Sequence, residues 1–391
     1  MDFNEVKEKS SKYLFQNYGR IDLAFTHGEG CYLYGMDGKR YLDLVAGIAV
    51  NALGYAHPDW VSAVQHQAAR MAHVSNLYYI AEQAELAERI ASIAPGDLDR
   101  TLFCNSGAEA NEGAMKTAVR YTGRGKILSA LDGFHGRTSA SMGATGQEKI
   151  HSGFEPLISD AYEYFKYGDA ESLKSMMSRD VAAVIVEPVQ GESGVITASP
   201  EFFKSVRDLC DDYGALMVVD EVQTGLGRTG QWYGIQNFGV VPDIITMAKA
   251  LGGGVPIGAF TATDEVAKVM TPGTHGTTFG GNPLVCAAGC ATLDIMKRDR
   301  LVEHSRDMGT RWIADLREIR SDKIKEVRGY GLMIGIEMDC NETASMVQKY
   351  CRDNGVLINV AHGKNIRLVP PLILTEEQKD EFTQLLTDSL S

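Results

Sequence analysis

Ala215-Leu216-Met217-Val218-Val219-Asp220-Glu221-Val222-Gln223, followed by Asp243-Ile244-Ile245-Thr246-Met247-Ala248-Lys249, decides the fold. Each apolar run is too short for a buried helix, and the first ends in β-branched residues, so each is expected to be a central strand buried on both faces. The two strands would deliver Asp220 and Lys249 to one carboxyl edge of an open sheet, the edge at which such folds bind ligands. Gly252-Gly253-Gly254 comes next, where the lack of side chains lets backbone approach closely. Taken alone, Asp220 and Lys249 read more readily as an acidic helix cap and a surface lysine, since short apolar runs are common in any α/β protein.

Further apolar strands recur between helical stretches on either side, at Thr101–Cys104, Lys126–Ser129, Val181–Val186 and Ile257–Thr261. This alternation predicts an α/β fold, with a mostly parallel sheet covered by helices on both faces. Ahead of it, Gly30 to Leu44 reads as a hairpin turning at Asp37-Gly38. After residue 282 the pattern changes to one long helix, short strands around Gly331–Met338 and Val356–Asn359, and an amphipathic helix from Glu376. The expected division is an amino-terminal segment, 1–50, packing with the small domain; a large domain, 51–281; and a smaller α+β domain, 282–391.

Charge narrows the function. With 38 Lys+Arg against 51 Asp+Glu the net charge is −13, and no basic run appears, so neither a nucleic-acid backbone nor an anionic membrane is an expected partner. No apolar run reaches the length of a membrane span, and Met1 to Lys9 lacks the apolar core of a secretion signal, which points to the cytoplasm. Seven cysteines without a C-x-x-C pair and nine histidines without H-E-x-x-H indicate neither a disulfide framework nor a metal site. Cys286 and Cys290 would share one helix face as small buried thiols.

An amine and a carboxylate meeting at a sheet edge suit pyridoxal 5'-phosphate. Lys249 would hold it as a Schiff base, and Asp220 would keep its pyridine nitrogen protonated so that the ring accepts electrons. Asn105-Ser106-Gly107-Ala108 lies between a strand and a helix, where small residues expose N–H groups to a phosphate, although an ordinary helix cap fits those four residues almost as well. In Phe134-His135-Gly136-Arg137 the ring could stack on a pyridine, and the arginine could grip a substrate carboxylate. Glu187 and Glu192 fall just beyond another strand, where one could pair with an arginine. Thr277 and Thr278, beside Gly280-Gly281, offer hydroxyls for a further phosphate contact or form a plain loop. Gly225-Leu226-Gly227-Arg228-Thr229-Gly230 matches the dinucleotide fingerprint G-x-G-x-x-G, but no helix is expected to open within it and no acidic residue falls at the required spacing.

Together these segments resemble the class III aminotransferases of PLP fold type I. The matching motifs are Asn105 to Glu112, Phe134 to Thr138, Glu187 to Glu192, Asp220 to Gly230 and Ala248 to Gly254, in the family's order and spacing. The resemblance implies a seven-stranded sheet in the large domain and pyridoxal 5'-phosphate as cofactor. By the same resemblance Lys249 is the Schiff-base lysine, Asp220 the pyridinium partner and Gln223 the neighbour of the ring hydroxyl. Ser106, Gly107 and Ala108 correspond to the phosphate cup, and Phe134 to the stacked ring. Thr278 corresponds to a threonine that reaches the partner subunit's phosphate, which implies a homodimer with shared active sites. Arg137 would hold the donor's α-carboxylate, with Thr277 also on the substrate side. Arg367 would receive that of 2-oxoglutarate, and Glu192 would pair with Arg367 until then. Gly47 stands where relatives acting on free ornithine carry tyrosine. That small residue favours N2-acetylornithine as donor, with succinylornithine, succinyldiaminopimelate, ornithine and 4-aminobutyrate as alternatives. Ser193 departs from the glycine or alanine common at that position in the family.

Overall fold

The longest uninterrupted apolar runs become the central strands. The computed structural model describes residues 1–391. One seven-stranded sheet organises it, made of β1 (Leu98–Cys104), β2 (Lys126–Ala130), β3 (Tyr162–Phe165), β4 (Val181–Val186), β5 (Leu216–Asp220), β6 (Ile244–Met247) and β7 (Gly258–Thr263). Their spatial order is β1-β7-β6-β5-β4-β2-β3. Every residue of β4, β5 and β6 is buried, as expected of strands covered on both faces. Only β7 runs against the others, antiparallel to both β6 and β1. The carboxyl ends of β1, β2, β4, β5 and β6 therefore open on one edge, and the segments that follow them supply the site.

Local chemistry sets the helix that faces this edge. The Ser106 hydroxyl accepts from the Glu109 N–H at 3.2 Å and starts the helix Gly107–Thr122, which stops at Gly123 with φ 69°. The G-x-G-x-x-G stretch opens no α-helix, as its composition indicated; a short 3-10 turn, Gly234–Phe238, follows it.

The carboxyl-terminal part is a four-stranded antiparallel sheet of Ile324–Tyr330, Met333–Met338, Asn365–Leu368 and Asn359–Ala361. Helices Leu301–Glu318 and Glu376–Leu390 meet through Trp312 and Phe382, whose rings stand edge to face at 5.9 Å. Burying two such rings contributes roughly 2–3 kcal/mol each. The amino-terminal hairpin joins this part, since Leu42 pairs in parallel with Val356. A single cluster of 64 buried apolar residues runs through both sheets, so the smaller one is docked on the larger rather than tethered to it.

Two expectations fail. The long helix after residue 282 is two helices, Pro283–Arg298 and Leu301–Glu318, because Arg300 takes a left-handed conformation at φ 53°. Strand β3 went unseen: Tyr-Glu-Tyr-Phe at a sheet edge has no apolar run to betray it. Cys286 and Cys290 do lie buried on one helix. No helix is long and apolar enough to cross a membrane.

Candidate active site

A cavity of about 510 Å³ opens at the carboxyl edge. Ser106, Gly107 and Ala108 form one wall, Phe134 and Arg137 another, and Asp220, Gln223 and Lys249 the floor. Of the residues expected to act together, the fold thus gathers eight around one space. Glu192 and Arg367 stand just behind Gln223. Thr277 and Thr278 lie outside the cavity lining. Thr277 accepts from Asn105 Nδ2 at 3.2 Å, and Thr278 is exposed.

Asp220 ends β5 with its carboxylate almost fully enclosed. Its Oδ2 accepts from Asn111 Nδ2 and from His135 Nδ1, both at 2.7 Å, while Oδ1 accepts from the Val222 N–H at 2.9 Å. Thr246 in turn donates to Asn111 Oδ1 at 2.7 Å, fixing which way the amide faces. Burial is the largest influence on His135 and opposes its charge. The bond to Asp220 and the charges of Asp220 and Glu187 outweigh it, so its pKa is raised. His135 Nε2 is buried without a partner.

Lys249 follows β6 and sits at φ 42°, a strained setting for a side-chain-bearing residue. Its amine makes no ion pair within 4 Å. Burial lowers its pKa from 10.5 to about 8, with Glu192 pulling the other way. An amine that is partly neutral near physiological pH can bond to a carbonyl and then carry a proton.

Glu187 is buried beyond β4, where its Oε1 accepts from the Phe134 N–H at 2.9 Å and so orients that ring. Burial lifts its pKa to about 7, against the pull of His135. Arg137 is exposed, with its guanidinium 5.5 Å from the Phe134 ring centre and no carboxylate bonded to it. Arg367, by contrast, is buried and saturated. Its Nη1 reaches Glu192 Oε1 at 2.7 Å, the Gly191 carbonyl at 3.1 Å and Gln223 Oε1 at 3.3 Å, and Nε and Nη2 both donate to Asn359 Oδ1. Burial works to raise the Glu192 pKa, but the Arg367 charge prevails and holds it below the usual carboxylate range.

Sequence reasoning missed Asn111, Asn359 and the role of His135. Asn111 lies one turn after Gly107 on the buried face of its helix, and an amide interrupting an apolar face is the signal that was there to read. Asn359 is the direct cross-strand partner of Arg367, a pairing that no local pattern reveals.

An acid, an amine and the amino terminus of a sixteen-residue helix facing one cavity fit a phosphorylated aromatic aldehyde. The donor set offers a carboxylate for a ring nitrogen, an amine for the carbonyl and first-turn N–H groups for a phosphate. A family model for class-III aminotransferases matches residues 13–390, and the chain belongs to that family. It is an aminotransferase that uses pyridoxal 5'-phosphate. Among its relatives, the acetylornithine aminotransferase of Archaeoglobus fulgidus is 46% identical over 379 residues, 97% of this chain and 98% of its own length. Of solved structures, acetylornithine aminotransferase from Elizabethkingia anophelis is similar with a TM-score of 0.88 at 31% identity, covering 100% of this chain and 99% of that one. Ornithine aminotransferase from Toxoplasma gondii, with PLP partly occupying its active site, gives a TM-score of 0.94 at 30% identity, covering 99% of this chain and 94% of that one.

Proposed function

We propose that the protein transfers the δ-amino group of N2-acetylornithine to 2-oxoglutarate, giving N-acetylglutamate 5-semialdehyde and glutamate. One observation carries the reading: the site holds two arginines, Arg137 free of any carboxylate and Arg367 neutralised by Glu192. A donor with one carboxylate at the far end from its reacting amine suits Arg137, and the paired Arg367 does not compete for it. A dicarboxylate acceptor brings a second anion, for which Glu192 must yield Arg367. The names of the full-length relatives at 42–46% identity support the acetylated donor.

Bound pyridoxal phosphate supplies an electron sink for the carbanion formed at the substrate carbon. Lys249 Nζ would take the proton from that carbon and hold it for return, acting as base and then acid, for which a pKa of about 8 is well placed. Asp220, held by Asn111 and His135, would set its carboxylate against the ring nitrogen, and Gln223 would stand beside the ring. Phe134 would cover the ring face, and Ser106, Gly107 and Ala108, which line the same cavity, would cradle the phosphate. Arg137 orients the donor so that its δ-carbon, not its α-carbon, meets Lys249.

The same reading includes a homodimer. Leu77, Tyr78, Tyr79 and Phe279 are exposed together beside Thr278, and Asn76 Nδ2 bonds the Gly280 carbonyl at 3.0 Å to join the two segments. An apolar patch of this kind marks a partner surface, and a second copy seated there would bring Thr278 to its neighbour's phosphate. Turnover of acetylornithine, succinylornithine, succinyldiaminopimelate, ornithine and 4-aminobutyrate with 2-oxoglutarate tests the reading. The acetylated donor is expected to give the highest kcat/KM, and a preference for a free diamine would overturn it.

A further inference from the structure

Glu192 must move for a second carboxylate to reach Arg367, and the structure shows how little of its surroundings can move with it. Glu192 and Ser193 are the two central residues of a tight turn closed by the Gly194 N–H donating to the Gly191 carbonyl at 3.3 Å. Each corner of that turn is fixed. A side chain at Gly191 would stand 2.2 Å from Gln223 Oε1, and one at Gly194 would stand 2.4 Å from Asn365. The Ser193 hydroxyl, almost fully buried, donates to the Asp132 carbonyl at 2.5 Å, tying the turn to the loop that carries Phe134 and His135. Arg328 grips the other end: Nη2 donates to the Gly194 carbonyl at 2.9 Å and Nε to the Val195 carbonyl at 3.1 Å. Val195 holds φ 61°, a conformation costly for a β-branched residue, which only such a clamp sustains. Arg328 is itself fixed by Asn365, Glu326 and Glu337.

We infer that Ser193 and Arg328 are positioning residues that hold this turn rigid, so that Glu192 releases Arg367 by side-chain rotation alone and the resting pair excludes acceptor-type carboxylates during the donor half-reaction. The inference rests on the proposed roles of Glu192 and Arg367. A fixed turn strengthens the pair because little freedom remains to be lost when it forms. Loosening the turn weakens the pair and lets an outside carboxylate win Arg367 more easily.

Glutarate, which has the two carboxylates of 2-oxoglutarate but no keto group to react, is the probe, titrated calorimetrically into the cofactor-loaded enzyme. Ser193→Ala removes one hydrogen bond and is expected to tighten glutarate about three- to tenfold, while the single-turnover rate with acetylornithine stays within twofold of wild type. Arg328→Lys keeps the charge but not the fork, and is expected to move glutarate the same way; it decides the matter if Ser193→Ala does not fold. Glu192→Gln separates the two levels. If it leaves glutarate affinity unchanged, the roles given to Glu192 and Arg367 are wrong. If it tightens glutarate but Ser193→Ala, correctly folded, does not, the rigid turn is overturned and those roles stand.

Discussion

Lys249 should make the cofactor-free protein less stable than its methionine variant. Enclosure brings the amine's pKa from 10.5 to about 8, so at pH 7 the folded chain holds a proton on a group that the unfolded chain holds far more readily. That fall corresponds to about 3 kcal/mol of stability forgone below pH 8. Between about pH 8 and 10.5 the unfolded chain binds the extra proton and the folded chain does not, so stability rises with pH across that window. Lys249→Met keeps the length of the side chain and removes the charge. Its urea midpoint, measured on protein stripped of pyridoxal phosphate at fixed protein concentration, should rise by the equivalent of about 3 kcal/mol at pH 7. The gain should shrink to about 1 kcal/mol at pH 9.5, and turnover should be lost at every pH. A variant no more stable than wild type, or a gain that does not shrink with pH, would refute the claim that this amine is destabilised by its surroundings. The physical content is a trade: a lysine reactive near neutrality is one the fold would rather not protonate.

Asp220→Asn removes the charge that Asn111 and His135 surround. Breaking such a buried pair costs about 3–5 kcal/mol of stability; kcat should fall separately, by two or more orders of magnitude, because no carboxylate then faces the ring nitrogen, and the His135 resonance should titrate at lower pH than in wild type. Arg137→Met and Arg367→Met should differ in which half-reaction they touch: the first raises KM for the donor by about 10- to 100-fold, since a hydrogen bond between charged groups is worth about 1.5–3 kcal/mol, and weakens 2-oxoglutarate as well, because the acceptor's other carboxylate uses the same arginine, while the second weakens 2-oxoglutarate and leaves the donor alone. Stopped-flow measurement of each half-reaction checks the pair. Tyr79→Asp places a charge in the exposed apolar patch and should yield a monomer by light scattering, with activity lost because Thr278 then has no neighbour to serve.

How much of this was legible in the sequence depended on the range of the interaction. Strands β4, β5 and β6 announced themselves, because full burial keeps their runs almost wholly apolar, with only Thr246 inside β6 and Asp220 at the end of β5. Residues that end those strands, such as Asp220 and Lys249, followed directly from the sheet's direction. The edge strand β3 did not, since one face at the sheet margin needs no apolar run. The break at Arg300 also escaped notice, because arginine is a good helix former and no glycine, proline or capping residue of the usual kind marks the left-handed position. Asn111, Asn359 and Asp132 act through contacts that span 109, 8 and 61 residues. The nearest of these is a cross-strand pair, which depends on a register that local periodicity does not set.

The backbone around the site carries a related lesson about where a fold tolerates strain. Ala46, Gly47, Ile48 and Ala49 are all left-handed, with φ between 50° and 65°, although only one of them is glycine. Each of the other three costs roughly 1–2 kcal/mol, so something must hold the run in place. Asp43 does so: its carboxylate accepts from the Val45 and Ala46 N–H groups at 2.9 and 3.0 Å and from the Tyr55 hydroxyl at 2.5 Å. The run ends at Val50, which lines the cavity, and its neighbour Gly47 lines a second hollow together with Asn359, the residue that orients Arg367. Lys249 and Val195 are strained in the same sense, and one carries the reacting amine while the other directly follows the turn that carries Glu192. Arg300 takes the same conformation at a helix break that belongs to no site, so left-handed strain alone does not mark function; it is informative at Lys249, where the strained residue is also the one whose side chain enters the cavity.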